Sequence, residues 1–236
     1  MKKLVTLSIL CAFIICSCSQ TETVNDSKST INEINNDFKF QTETFADLKI
    51  IRYQVPGFEK LSLQQQKLVY YLSEAGYAGR DIIWDQNYRH NLSIRRTLEK
   101  IINEWDGNRN TSNWDNFMTY TKRVWCSNGI HHHYSMDKFI PEFSEYYFTG
   151  LMKAVGASLN DEAMKAMFDP NFDAKKVNLD PKKGLVLGSA VNFYDPDINE
   201  AEVDAYFTSI KDGETTEPVS YGINSKLIRG KNGIEE

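Results

Sequence analysis

The stretch from residue 123 to residue 141 constrains this chain most, because it combines a helix end, a turn and a dense group of reactive side chains. It reads Arg-Val-Trp-Cys-Ser-Asn-Gly-Ile-His-His-His-Tyr-Ser-Met-Asp-Lys-Phe-Ile-Pro. Asn128 and Gly129 predict a glycine C-cap that ends an aromatic helix, since glycine adopts the left-handed conformation at little cost. Three consecutive histidines, residues 131–133, then follow on a loop.

The three histidines suggest a zinc site at first sight, but their spacing argues against one. Zinc ligands converge on a single point at about 2 Å, whereas adjacent side chains on a helix or a strand point in divergent directions. At most His131 and His133 could share an ion, and the only other histidine is His90. We therefore expect no metal site in this chain, and we expect hydrogen-bonded imidazoles on a loop near a cleft.

No other pattern in the sequence indicates a catalytic group. Cys126 lies close to the histidines along the chain, but nothing around this aromatic helical stretch predicts a lowered thiol pKa. The sequence contains no glycine-rich phosphate loop, no Gly-x-Ser-x-Gly and no His-Glu-x-x-His. We therefore predict that the chain carries no catalytic residue of its own.

The amino terminus predicts a leader followed by a tether. Two lysines precede an apolar run at residues 4–16, which is too short to span a bilayer. The Ile-Cys-Ser-Cys sequence that ends this region resembles a bacterial lipobox, so residues 1–17 are expected to be a signal peptide and Cys18 the lipidated mature terminus. A plain secretory signal cleaved nearby is the alternative. Residues 18–37 are polar and suit a flexible tether to the membrane of the cell envelope.

Cysteine usage and charge narrow the class of protein further. Once the leader is removed and Cys18 is lipidated, only Cys126 remains, so no intramolecular disulfide can form and the core must hold the fold. The formal net charge is −5, and no basic block offsets it. Because nucleic-acid binding needs a cationic surface, we expect no nucleic-acid partner.

Capping residues and apolar spacing predict an α+β fold that is mostly helical. Residues 38–236 should be helical over 62–168 and should mix strands with helix over 175–230. In the first predicted helix, Leu68, Leu72 and Ala75 mark one face. The residues expected to cap or open helices are Ser62, Asn91, Ser112, Pro141, Asn160 and Asn199. The segments expected to be strands are 185–187, 190–194, 220–221 and 227–228.

Several segments together match the pattern of a known family. They are Phe-Ala-Asp-Leu-Lys-Ile at 45–50, Arg-Tyr-Gln-Val-Pro-Gly-Phe at 52–58, Leu-Ser-Glu-Ala at 72–75, Gly-Arg-Asp-Ile at 79–82, Asp-Gln-Asn at 85–87, Phe-Tyr at 193–194 and Tyr-Gly-Ile-Asn-Ser-Lys-Leu at 221–227. The most specific match is the segment from Trp125 to Pro141, which contains the histidines. In these segments the chain resembles the N-terminal part of the bacterial dipeptidyl peptidase III family, and the likeness extends over nearly all of the chain after the tether.

The resemblance implies part of a zinc exopeptidase that releases dipeptides from the N-termini of oligopeptides. Members of that family have two lobes around a wide cleft, and one lobe binds zinc through a His-Glu-x-x-Gly-His motif and a second, glutamate-rich helix. No His-Glu pair occurs in the 236 residues. The resemblance therefore implies a truncated, N-terminal portion of the non-zinc lobe, with helices around a strand-built core. The zinc ligands of the full-length enzyme would lie outside this chain, which alone should be inactive.

By position in the matching segment, Tyr134 and Ser135 are implied to lie on the cleft wall that receives the first two residues of a short peptide. Tyr134 would offer an aromatic face and Ser135 a polar edge. The alternative for Tyr134 is a structural role, packed beneath its own loop. A second functional hypothesis is a non-catalytic, peptide-binding surface lipoprotein. A histidine-rich metal scavenger is a weaker third, because only three histidines cluster. The oligomeric state is left open.

Overall fold

The computed structural model describes residues 38–210 and 225–236, and it has a mostly helical α+β fold. Contacts divide the chain into two units, one made of residues 1–44 and 49–53 and the other of residues 45–48 and 54–236. The predicted signal peptide, the tether with Cys18, and the predicted strand at 220–221 lie outside the described residues. No helix in the described ranges combines the length and the apolar character needed to cross a membrane.

The described elements begin with a small hairpin and continue with a series of helices. The hairpin consists of β1 and β2, joined by a turn at residues 46–47. The elements in chain order are β1 Gln41–Phe45, β2 Leu48–Ile51, α1 Leu63–Ala78, α2 Arg80–Asn87, α3 Asn91–Glu104, α4 Ser112–Ser127, α5 Glu145–Ala154, α6 Asp161–Phe168, α7 Glu200–Ile210, β3 Ile228–Gly230 and β4 Gly233–Glu235. The last two strands pair antiparallel with each other.

Three helix starts agree with the capping residues predicted from the sequence. Ser62 and Gln65 form a reciprocal capping box at the start of α1. Asn160 caps α6, because its side-chain oxygen accepts a hydrogen bond from the backbone N–H of Ala163 at 2.8 Å. Asn199 and Glu202 cap α7 by the same reciprocal pattern as Ser62 and Gln65. These caps depend on residues three positions apart, which is why the sequence alone identifies them.

Other helix boundaries were predicted wrongly. Pro141 does not open α5, which begins four residues later, where the Ser144 hydroxyl accepts a hydrogen bond from a backbone N–H. Asn91 is not an N-cap but the first residue of α3, because its side chain is engaged in tertiary contacts. Helix α4 does begin at Ser112, but the preceding threonine supplies its cap. Its C-cap in the left-handed conformation is Asn128, one residue before the predicted glycine.

The predicted strands at residues 185–187 and 190–194 are also wrong. Both segments are turns or irregular chain, apart from one isolated bridge between Tyr194 and Leu227. The first segment makes a local turn, since the Gly188 N–H donates to the Gly184 carbonyl at 3.1 Å. The second makes isolated contacts with a distant segment, since the N–H groups of Ala190 and Val191 donate to the carbonyls of Lys175 and Lys176, both at 3.0 Å. Leu227 precedes the short strand β3, so the strand predicted at 227–228 is correct only in part.

Helices α3 to α6 supply the main hydrophobic core. Aromatic side chains meet edge to face at its centre, with 5.7 Å between the ring centroids of Phe117 and Phe143 and 5.9 Å between those of Phe143 and Phe168. Such pairs add to the stabilisation gained by burying the rings. The fully buried apolar residues of these helices are Ile94, Leu98, Ile101, Phe117, Val124, Phe148, Ala163, Ala166 and Met167. A smaller cluster joins α7 to the final strands through Ile198, Val203 and Leu227.

The buried amide of Asn91 joins this helical core to the segment that follows α4. Its Nδ2 donates to the carbonyl of Trp84 in α2 at 3.1 Å and to the carbonyl of Asn128 at 3.4 Å. Its Oδ1 accepts a hydrogen bond from the backbone N–H of Ile130 at 3.1 Å. The backbone passes close to this amide at Gly129, which has a φ of 149°. A Cβ at that position would lie 2.2 Å from Asn91 Nδ2.

We predict that Gly129→Ala destabilises the protein by about 2–4 kcal/mol, because the new methyl group clashes with the Asn91 amide and the backbone conformation disfavours alanine. Urea unfolding followed by tryptophan fluorescence would measure the loss. The matched control is Gly76→Ala in α1, where a Cβ meets nothing within 4 Å. That substitution should be neutral or stabilising by up to about 1 kcal/mol, since alanine is the better helix former. Equal effects of the two substitutions would contradict this account.

Candidate functional site

Residues 131–138 form a short hairpin, here called the histidine hairpin. His131 and Lys138 form an antiparallel bridge at its base. Across the hairpin, the His132 N–H donates to the Asp137 carbonyl at 2.7 Å, and the Met136 N–H donates to the His132 carbonyl at 3.1 Å. Met136 closes the turn with a φ of 63°. Tyr134 and Ser135 therefore lie at the tip of a tight turn rather than on a long loop.

A neighbouring segment fixes one edge of the histidine hairpin. The Lys138 N–H donates to the Ala174 carbonyl at 3.1 Å, and the Lys176 N–H donates to the Met136 carbonyl at 2.8 Å. The Lys138 ammonium is itself buried and donates to the carbonyls of Asp169 and Phe172. Desolvation by this burial lowers the pKa of Lys138. The hairpin is thus held by backbone pairing on one side and by a buried cation beneath it.

His131 is a buried structural residue. Only 2% of its surface is exposed, and its Nε2 donates to the carbonyl oxygen of Asp173 at 2.7 Å. Its ring packs edge to face against Tyr88, with 5.2 Å between the centroids. Because burial disfavours the imidazolium, the pKa of His131 falls to about 4. His131 is therefore neutral at physiological pH.

His132 and His133 organise the tip of the hairpin. His132 Nδ1 accepts hydrogen bonds from the backbone N–H groups of Tyr134 and Ser135, both at 3.1 Å. The rings of His132 and His133 stack with 4.7 Å between their centroids. His133 Nδ1 lies 3.3 Å from the hydroxyl oxygen of Ser127. The three imidazoles thus make different contacts, in agreement with the prediction of hydrogen-bonded side chains on a loop.

These contacts do not fit a zinc site. The Nε2 of His131 donates its proton to a carbonyl, which leaves the lone pair on its buried and unpartnered Nδ1, whereas the Nδ1 of His132 is engaged by two N–H groups. A zinc ligand needs a free nitrogen lone pair directed at a point shared with other ligands. Within residues 38–210 and 225–236, no three His, Cys, Asp or Glu side chains come together in a way that could hold a metal ion.

The two residues assigned to substrate binding by resemblance are both exposed. Tyr134 has 82% of its surface exposed, so its ring is not packed beneath the loop. Its ring contacts that of His133, with 4.3 Å between centroids. The Ser135 hydroxyl accepts a hydrogen bond from the Asp137 N–H at 3.3 Å. The thiol of Cys126 is exposed as well, but the hydroxyl near His133 belongs to Ser127.

Sequence reasoning missed Asp173, which organises the base of the hairpin. Its backbone adopts a φ of 47°, and its carbonyl receives the hydrogen bond from His131. Its carboxylate accepts a hydrogen bond from the Tyr88 hydroxyl at 2.7 Å and pairs with Arg89 at 2.8 Å. Burial and this carboxylate raise the pKa of Tyr88. A lone aspartate on a loop carries no pattern that marks such a role, and only the fold brings its partners to it.

No protein-family model matches this chain, and the search of curated proteins also finds no match.

We predict that the free energy of unfolding decreases as the pH is lowered, because His131 must stay neutral in the folded protein. Its folded-state pKa of about 4 lies below the unfolded value, so the unfolded chain binds more protons between about pH 6.5 and pH 4. The stabilisation is complete above about pH 6.5 and is lost as the pH falls towards 4, by at most about 3 kcal/mol. Chemical unfolding at several pH values would measure it.

His131→Gln is the informative variant for this prediction, because its amide N–H can still donate to the Asp173 carbonyl but does not titrate. The variant should show a shallower loss of stability between pH 6.5 and pH 4. Burial also lowers the pKa of His90, so part of the slope should remain. A pH dependence identical to that of the unsubstituted protein would contradict the role assigned to His131.

Proposed function

We propose that this chain is the substrate-cleft part of a zinc-dependent dipeptidyl peptidase III-like enzyme, which releases N-terminal dipeptides from short peptides. The zinc motif would belong to another part of the enzyme, and Cys18 would anchor the protein by lipid in the cell envelope. The support comes from the sequence resemblance, which is most specific over residues 125–141, together with the geometry of that segment. Among residues 38–210 and 225–236 no group of three His, Cys, Asp or Glu side chains could hold an ion, and we assign no catalytic step to these residues.

The observation that carries the proposal is the exposure of Tyr134 and Ser135 on an otherwise well-anchored turn. The histidine hairpin is held by backbone pairing and by the buried His131, whereas its tip makes few contacts and faces solvent. Binding residues are commonly found on loops positioned by a rigid scaffold. A loop already fixed before binding loses little conformational entropy when a ligand arrives, which favours affinity.

The hydrogen-bond pattern at the tip indicates which groups would contact a peptide. The N–H groups of Tyr134 and Ser135 are already taken by His132. Backbone pairing through these donors is therefore unfavourable, and recognition falls to side chains. The Tyr134 ring can pack against an apolar side chain or a peptide plane. The Ser135 hydroxyl already accepts a hydrogen bond from the Asp137 N–H, so its own proton can be donated to a peptide carbonyl.

The buried core of α3 to α6 favours a second candidate, a non-catalytic peptide-binding surface lipoprotein. Such a protein must fold by itself, and the aromatic core around Phe117 and Phe148 provides a substantial body of packed side chains. Translation of the locus beyond the codon for Glu236 distinguishes the two candidates. A downstream His-Glu-x-x-Gly-His segment followed by a glutamate-rich helix supports the enzyme, and a confirmed stop codon supports the binding lipoprotein.

We predict that a tetrapeptide with a free amino terminus and a C-terminal fluorophore binds the purified chain saturably. Tyr134→Ala should weaken binding about tenfold, which corresponds to about 1.4 kcal/mol, because the aromatic face is lost. Ser135→Ala should cost less, about threefold, as expected for one neutral hydrogen bond. Fluorescence anisotropy would give the dissociation constants.

The matched control for this experiment is Tyr146→Ala, which removes a tyrosine that is 90% exposed at the start of α5. It should leave the affinity unchanged, which would show that exposed aromatic surface in general is not responsible. An N-acetylated copy of the peptide tests recognition of the free amine. The absence of saturable binding, or equal losses for Tyr134→Ala and Tyr146→Ala, would refute the assignment of the hairpin tip.

A further inference from the structure

Helix α1 leaves its apolar side chains uncovered. None of its sixteen residues is buried, although a helix with this many large apolar residues normally packs against a partner. Its apolar residues include three tyrosines at positions 70, 71 and 77. The exposed fractions are 67% for Leu63, 58% for Leu68, 43% for Val69, 58% for Tyr70, 67% for Tyr71, 63% for Leu72 and 67% for Tyr77.

The exposed area is large enough for a protein–protein contact. Three tyrosines of about 200 Å² each, almost two-thirds exposed, leave roughly 400 Å² uncovered, which already equals the largest apolar patch of a typical monomer. Leu63 lies two turns before Tyr70 on the same face and is 67% exposed, and it extends the surface towards the roughly 800 Å² that each partner contributes to a stable interface. Burial of this helix therefore needs a partner of its own size.

The charges of α1 have a symmetry that indicates what the partner is. Lys67 and Glu74 are its only charged residues. They lie seven residues apart and share one helix face with Tyr70 and Tyr71 at spacings of three and four. The midpoint between the two charges falls between the two tyrosines. An identical helix running antiparallel about that midpoint would set Lys67 opposite Glu74 of the second copy, and Glu74 opposite its Lys67.

We propose that α1 docks against α1 of a second copy of this chain, in an antiparallel contact with two-fold symmetry centred between Tyr70 and Tyr71. The rings of Tyr70 and Tyr71 of both copies form its centre, and Leu63 and Tyr77, each seven residues from Tyr70, lie on the same face of the helix. Two Lys67–Glu74 pairs close its ends. A parallel pairing is disfavoured, because it would set like charges against each other. The proposal does not depend on the peptidase function.

A membrane surface is a less suitable occupant for the same helix. Helices that lie in a membrane interface have an apolar face opposite a polar face rich in lysine and arginine. Helix α1 has a single lysine, and its exposed apolar residues occur at adjacent positions such as Val69, Tyr70, Tyr71 and Leu72, which point to different sides of the helix. Its charges match a second copy better than a lipid headgroup layer.

The test is analytical ultracentrifugation of the purified full chain with a charge swap in α1. The unsubstituted protein should form a saturable dimer. Lys67→Glu and Glu74→Lys should each weaken it about tenfold, because each replaces two attractions by two repulsions. The double variant Lys67→Glu/Glu74→Lys should restore the dissociation constant to within about threefold, since it re-forms both pairs with the charges exchanged. Lys153→Glu, an exposed charge reversal in α5, is the matched control and should have no effect.

Four outcomes would overturn the proposal. They are a protein that stays monomeric up to about 100 μM, a dimer that is insensitive to both single variants, a pair of single variants that the double variant does not rescue, and open-ended oligomers that never saturate. Tyr71→Glu is a second probe of the apolar part and should abolish the dimer while circular dichroism shows retained helix content. Binding of the chain to anionic vesicles that Tyr71→Glu removes, without any dimer, would assign the surface to a membrane instead.

Discussion

The buried amide of Asn91 is the interaction on which the arrangement of the site depends. It bonds to α2 through the carbonyl of Trp84, to the end of α4 through the carbonyl of Asn128, and to the N–H of Ile130. In a buried environment each of these groups would be costly to leave unpaired, so the three segments are held at fixed separations. The histidine hairpin starts at His131, directly after Ile130. Its base is therefore held in place by the hydrogen bond between Ile130 and Asn91.

The need to pair polar groups with hydrogen bonds also explains the structural role of the histidines. His131 is buried and neutral, and its Nε2–H donates a hydrogen bond to the backbone carbonyl of Asp173. His132 receives two backbone N–H groups that a tight turn would otherwise leave exposed. Each imidazole makes a polar contact within the hairpin or to its neighbours, and the most exposed groups at the tip are the ring of Tyr134 and the hydroxyl of Ser135. The three histidines, whose sequence suggests metal binding, therefore help to position Tyr134 and Ser135.

Local rules predicted those parts of the fold that depend on neighbouring residues. The caps at Ser62 and Asn160 follow from contacts within one helical turn, so the sequence identified them. The role of Asn91 and the turns at residues 185–194 depend on contacts between distant segments, and there the same rules failed. For the candidate site, spacing predicted divergent histidine side chains, but the rings of His132 and His133 stack on each other. Spacing gave no sign of Asp173, whose partners come together only in the folded chain.

Exposed aromatic residues at two places in this chain have different physical meanings. Tyr134 is an isolated exposed aromatic residue surrounded by imidazoles and polar groups. A single exposed ring is common on protein surfaces, and it can contact a ligand without destabilising the fold. In α1 the exposed residues Leu63, Tyr70, Tyr71 and Tyr77 lie along one side of the helix, and covering that side lowers the free energy. A small ligand can cover the apolar surface at the tip of the histidine hairpin, because that surface is the single ring of Tyr134. At α1 the exposed area and the two opposite charges favour another helix as the partner.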